Sequence, residues 1–217
     1  MATSKLTNLK LSSELATRDK IEQTKTLMNM LPDPDDILRD NNYDFEIYRN
    51  LLTDPHLAAA IEQRKMQVQQ MDYEIHFENN LEIENEAKNL IDELPIKNIA
   101  NEILDAILYG YSVQEITWQI KNNKIVPAKV EGKPPEWFIY NKNNELMLRK
   151  YNNGFYEYDE GIKLPDYKFI INRNKSSYDN PYGEKIFQKG YWPVTFKRSA
   201  IEYWQTMVER YGMPFLI

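Results

Sequence analysis

At Gly110 the spacing of apolar residues switches from a helical period to an alternating one, which limits the chain to folds that build helices and sheet in separate stretches. Just upstream, Ile96, Ile99, Ile103, Ile107 and Leu108 recur at intervals of three and four, and Gly110 stands where a helix of that period would close. Ile83, Ala87, Leu90 and Ile91 predict another helix before Pro95. Earlier still, Phe45, Tyr48, Leu51 and Leu52 predict a short helix. Thr53, Asp54 and Pro55 then supply a cap and an early proline for the next, where the missing N–H costs nothing. Leu57, Ile61, Arg64, Val68 and Met71 predict one buried stripe along it, and Tyr73, Ile75 and Phe77 alternate with Glu74 and His76 as in a half-buried strand.

Beyond Gly110 the residues favour strands. Tyr111 to Ile120 and Ile125 to Val130 flank a polar Lys121-Asn122-Asn123-Lys124 turn, the pattern of a hairpin. Trp137 to Tyr140, Glu145 to Tyr151, Phe155 to Tyr158 and Tyr167 to Ile171 predict further short strands, separated by turns such as Asn152-Asn153-Gly154. A polar loop from Arg173 to Gly183 leads to a short helix, Lys185 to Lys189, with a break expected at Pro193. A stronger helix is then predicted, capped by Thr195, with Ile201, Trp204, Val208 and Tyr211 on one face and Gly212 and Pro214 at its end. The fold class predicted is α+β, with N-terminal helices, an antiparallel β meander and then a long helix. Residues 1–31 are expected to form an arm, 32–172 an α+β domain, and 173–217 a loop plus helix. The apolar ending Phe215-Leu216-Ile217 predicts that the gene product continues.

Composition removes several kinds of chemistry. The 217 residues include no cysteine, so thiol nucleophiles, cysteine-ligated zinc and disulfides are excluded from this stretch. The first 20 residues lack the continuous apolar core of a signal peptide, and no stretch approaches the roughly 20 apolar residues needed to span a bilayer. No membrane is expected among the partners. The net charge is −6, from 27 basic and 33 acidic residues, and it is unevenly spread. Residues 1–31 hold five basic and three acidic groups and 173–217 hold seven and four, which leaves 15 against 26 between them. That middle would repel phosphate.

The remaining candidates are weak as chemistry. His56 follows Asp-Pro at a helix start and His76 lies on the polar side of a strand, so neither has a second ligand or a nucleophile nearby in sequence. The seven glycines form no phosphate-cradling motif, so no nucleotide cofactor is expected. Asp33, Asp35 and Asp36 predict a solvated turn and helix cap rather than a calcium loop, because the glycine and distal glutamate of such a loop are missing. Lys185, Lys189, Lys197, Arg198 and Arg210 interleave with Phe187, Tyr191, Trp192, Phe196, Tyr203 and Trp204, a mixture that suits a nucleic-acid-binding module. Packing against core or a neighbouring subunit is the stronger expectation for Trp204.

Several strings in fixed order carry a resemblance. Leu52-Thr53-Asp54-Pro55-His56, Ile61-Glu62-Gln63-Arg64-Lys65, Ile103 to Gly110, Gly132 to Phe138, Ser177 to Glu184, Tyr191 to Lys197 and Glu209 to Pro214 resemble the portal proteins of phage Mu and Mu-like prophages. The resemblance runs from about Pro32 to Ile217. It implies a portal wing with the start of a stem, in a subunit with no cofactor and no enzymatic step of its own. It implies a homo-oligomeric ring, commonly a dodecamer, at one capsid vertex of the virion, assembled in the host bacterial cytoplasm. Double-stranded DNA would pass through the ring, the terminase large subunit would dock during packaging, and capsid and neck or tail connector proteins would be further partners. Tyr178, Asp179, Asn180, Pro181, Tyr182, Gly183, Trp192, Pro193, Trp204, Tyr211, Gly212 and Pro214 are then expected as family-motif or subunit-contact residues. Lys197 and Arg198, charged residues at the start of a stem-like helix, are expected near DNA.

Overall fold

A computed structural model describes residues 30–74, 81–152 and 155–212. Residues 1–29 of the expected N-terminal arm, His76, most of the strand expected over 73–77, the glycine of the 152–154 turn and Pro214 lie outside the described residues, while the last two residues of the expected arm, Met30 and Leu31, form a strand. The elements follow the α+β order: β1 (Met30–Leu31), α1 (Asp36–Asp40), α2 (Glu46–Leu51), α3 (Pro55–Gln69), α4 (Leu81–Asp92), α5 (Ile96–Tyr109), β2 (Tyr111–Lys121), β3 (Lys124–Lys133), a 3-10 turn (Pro135–Trp137), β4 (Phe138–Asn141), β5 (Leu146–Asn152), β6 (Phe155–Lys163), β7 (Phe169–Arg173) and α6 (Ile186–Tyr211).

The chain divides into two compact units. In the smaller, residues 30–32 and 138–164, four antiparallel strands lie in the order β1-β4-β5-β6. Phe138 faces Leu148 and Tyr140 faces Leu146 across β4 and β5, and Met30, Phe138, Ile139, Tyr140 and Leu146 are buried. The β4–β5 turn is closed by Asn141, whose Oδ1 accepts from the backbone N–H groups of Asn143 and Glu145 at 2.9 Å, while Asn144 takes a positive φ of 60°.

The larger unit holds all six described helices and a second sheet in the order β3-β2-β7. Asp54 caps α3 by accepting from His56 N and Leu57 N, and Gly110 ends α5 at φ 89°. The β2–β3 hairpin turns through Asn122 and Asn123, at φ 52° and 58°, as a turn of mirror-image type requires. Ile37, Leu38, Phe45, Tyr48, Leu51, Leu108, Phe187 and Val194 form its core, with the Tyr48 and Phe187 rings stacked at 5.8 Å.

Three expectations change. The single meander is two sheets, because β2 takes its second neighbour from β7, which pairs Ser112 with Asn172 and Val113 with Ile171. Residues 111–114 are buried, so an unpaired β2 edge there would leave backbone groups without partners, and local alternation does not say which distant strand supplies them. Nor does α6 break at Pro193. It runs continuously for 26 residues, and Thr195 is no cap: its Oγ1 donates to the Tyr191 carbonyl at 2.8 Å, one turn back inside the helix. Burial of Val194 beside the proline, and of Phe187 before it, holds the helix together where one backbone N–H is missing. The buried stripe of α3 is absent as well, and of the two settings expected for the apolar face in the second half of α6, core or subunit contact, the core is ruled out. Leu57 and Ile61 are half-buried against the core, but Val68, Met71, Ile201, Trp204, Val208 and Tyr211 are exposed.

Replacing Pro193 with alanine restores the missing N–H at an exposed position. It should raise the thermal unfolding midpoint, by roughly 2–4 °C for each kcal/mol regained, in a calorimetric comparison with wild type.

Candidate functional site

The segment that launches α6 begins with two glycines in contact. Gly110 and Gly183 both have positive φ, 89° and 77°, and an added Cβ on either would run into the carbonyl oxygen of Tyr182 or Gly110. Asn174 locks the crossing: its N–H donates to the Gly110 carbonyl at 2.8 Å and its own carbonyl accepts from Glu184 N at 2.8 Å. The string from Tyr178 to Gly183 is a turn wound around Asn180. That side chain donates from Nδ2 to the Gly183 carbonyl at 2.8 Å and accepts Tyr182 N at Oδ1 at 3.0 Å. Pro181 and Tyr182 are buried, with Tyr182 edge-on to Tyr111 at 5.8 Å, whereas Tyr178 is 85% exposed and Asp179 is exposed.

Directly after the turn comes Lys185, 1% exposed. Its Nζ donates to Asp33 Oδ1 at 2.7 Å, lies 3.4 Å from Asp35 Oδ2, and sits 5.9 Å from the centre of the Tyr182 ring. Asp35 completes its own shell with the Tyr48 hydroxyl, which donates to Oδ2 at 2.6 Å, and with Ile37 N and Leu38 N at Oδ1. Asp33 accepts Asp35 N at 3.1 Å. The acidic cluster thus caps α1 as the sequence predicts, but Asp33 and Asp35 are buried rather than solvated. The physical reason is Lys185, 152 positions away from Asp33, which brings the compensating charge. Burial raises the Asp33 carboxyl above the usual range, with Lys185 opposing it, and burial together with the bond to Asp35 pushes the Tyr48 phenol up.

Farther along α6 the helix is pinned to the turn between α2 and α3. Lys197 Nζ donates to Asp54 Oδ2 at 2.6 Å, and this bond holds the Asp54 carboxyl below its usual value. Arg198 Nη2 donates to the Asn50 carbonyl at 2.8 Å and the Thr53 hydroxyl at 2.7 Å. Lys189 pairs with Glu184 at 2.7 Å. Of the five cations at or along α6, four therefore have intramolecular partners, and the nucleic-acid module built on that stretch has lost most of its phosphate-binding charge. Trp192 and Phe196 stack on each other at 5.7 Å and are both exposed, as is Pro193. From Ile201 to Gly212 every residue is exposed, Trp204 at 68%.

No group of three or more His, Asp or Glu side chains among the described residues could hold a metal ion, and His56 is exposed. Sequence reasoning had the residues of the α6 anchor but not their partners. Asp33, Asp35, Tyr48 and Asp54 carry no local mark of a contact with residues more than 130 positions downstream, save that Asp54 reads as a cap.

A helix whose apolar face stands exposed among the described residues is a surface suited to contact with another protein segment. The family model described as the portal protein of Mu bacteriophage matches residues 45–217, and the chain belongs to that family. The portal protein of Escherichia phage Mu is 24% identical over 170 residues, covering 76% of this chain and 32% of its own. The Mu-like prophage FluMu protein gp29 of Haemophilus influenzae is 25% identical over 175 residues, covering 74% of this chain and 32% of its own. The chain thus spans 32% of the length of each of these relatives.

Two predictions concern the buried cluster. Lys185→Met leaves Asp33 and Asp35 without their cation and should destabilise the fold by about 3–5 kcal/mol in urea unfolding, part of which Asp33→Asn in the same chain restores. The second concerns alkaline pH. Because the folded Tyr48 phenol keeps its proton above its ordinary pKa of 10.0, the folded state binds more protons there and stability falls as pH rises past that value. Tyr48→Phe should flatten the decline in stability measured between pH 9 and 11.

Proposed function

We propose that this chain is part of a portal subunit: a structural protein that assembles with copies of itself into a ring at one vertex of a phage head. Support comes from the family match over residues 45–217 and from the exposed apolar helix, which a solitary molecule would leave in water. The observation that carries the reading is that helix. Ile201, Tyr203, Trp204, Met207, Val208 and Tyr211 stand exposed within eleven consecutive residues, on a helix whose first half is anchored by Phe187, Val194, Lys197 and Arg198. Such a face calls for a protein neighbour.

In this reading the residues between Pro32 and Asn172 form the wing and α6 leads towards the stem. DNA passes through the ring during packaging and ejection, with the terminase large subunit and the connector proteins of neck or tail docking on it in turn. The subunit performs no reaction of its own. Tyr178 and Asp179, exposed on the turn before α6, are further contact residues, and Gly183 and Asn180 serve by shaping that turn. Lys197 and Arg198 act first as anchors of α6, and any contact with a DNA phosphate is made from that tethered position.

The mass of the native assembly tests the reading. Sedimentation and negative-stain micrographs of the full gene product should show closed rings of many subunits, and a monomer at every concentration would overturn it.

A further inference from the structure

Between its two anchored regions α6 carries a short stretch that weakens a helix in three ways. Gly190 is a poor helix former, and nothing around it requires glycine: a Cβ built there meets nothing within 4 Å, and its φ is not positive. Pro193 has no N–H to offer the Lys189 carbonyl four residues back. Thr195 turns its hydroxyl onto the Tyr191 carbonyl at 2.8 Å, a bond of the kind that bends the helix it sits in. Sharp kinks in long helices fall almost always at such residues, proline foremost.

The holds on either side of this stretch differ in depth. Ahead of it, Lys185 is bound to Asp33 and lies against Asp35 with its side chain 1% exposed, and Phe187 is wholly buried. Behind it, Val194 packs into the core, Lys197 donates to Asp54 with its side chain 45% exposed, and Arg198 donates to the Asn50 carbonyl and the Thr53 hydroxyl. Ion pairs that reach water hold weakly compared with buried ones. Farther on, every residue from Ile201 to Gly212 is exposed. A weak stretch between a deep hold and a shallow one is what a helix needs to bend there without coming loose at its base.

We propose that α6 is hinged at Gly190 and Pro193, with Lys197 and Arg198 as the latch. Latched, the second half of α6 is fixed to the turn before α3. Unlatched, residues 194–211 swing as an intact helix while Lys185 and Phe187 stay in place. Burial of Val194 opposes the swing, so the latched form is the resting state. Gln205 lies about 18 Å beyond Pro193, and a kink of about 20–30° moves it by about 6–9 Å. The swing re-aims the exposed apolar face without unfolding any of it, and it does not depend on the portal reading.

The test measures spin-label distances in the full gene product, with labelled subunits diluted among unlabelled ones and any cysteine beyond this cysteine-free stretch replaced by serine. Labels at Gln63→Cys and Gln205→Cys, both exposed positions, report the swing, and labels at Gln63→Cys and Gln188→Cys report the base. Lys197→Gln combined with Arg198→Gln should enlarge a second 63–205 population at least threefold, displaced by several ångströms, with the 63–188 distance and the helical circular dichroism unchanged. Adding Gly190→Ala and Pro193→Ala to that variant should return the 63–205 distribution to the wild-type form. An unaltered 63–205 distance after the latch is removed would overturn the hinge. So would a second population that persists with alanine at 190 and 193, an equal shift at 63–188, or a loss of helical signal in place of a shift.

Discussion

The larger unit is organised around one buried cation. Lys185 leaves the Asn180 turn and, at the position just before α6, places its ammonium against two carboxylates that precede α1. A lysine this deep in a protein would lose its charge or its place without such partners, and two adjacent carboxylates would repel without it, so neither end of the segment settles alone. The interaction therefore fixes where α6 begins relative to α1 and α2. The aromatic packing of Tyr48 on Phe187 and the bond from Tyr48 to Asp35 follow from that placement.

How much of this is legible in the sequence depends on how local the cause is. The caps at Asp35 and Asp54, the end of α5 at Gly110 and the asparagine hairpin at 122–123 come from residues a few positions apart, and the sequence states them. The period change at Gly110 likewise separates the helices from the strands. What sequence does not state is pairing over distance. Nothing in residues 169–173 announces that they will close the edge of β2, and nothing in the Pro-Asp-Pro-Asp string marks it as the partner of Lys185. The lysine looks like one more surface cation among several.

The stretch from Trp192 to Tyr211 shows a different kind of limit. Its helical period is plain, and the inference from period to burial is sound for a chain that folds alone. Here the apolar face has no cover within the described residues, because the period records what a surface is suited to touch and not which molecule supplies the contact. Pro193 makes a related point. A proline is a strong helix breaker in isolation, yet Phe187 and Val194 on either side of it are tied into the core, and that tertiary packing overrides the local preference.

The Lys197 and Arg198 anchors have a mechanical meaning. They fasten α6 to the turn that starts α3, and the helix continues beyond them for about 20 Å at 1.5 Å per residue. It is a cantilever clamped near its middle. A sideways push on its tip becomes torque at the clamp, delivered through Asp54 to the first turn of α3. Strain felt at the tip of the lever is thereby passed to the start of a neighbouring helix.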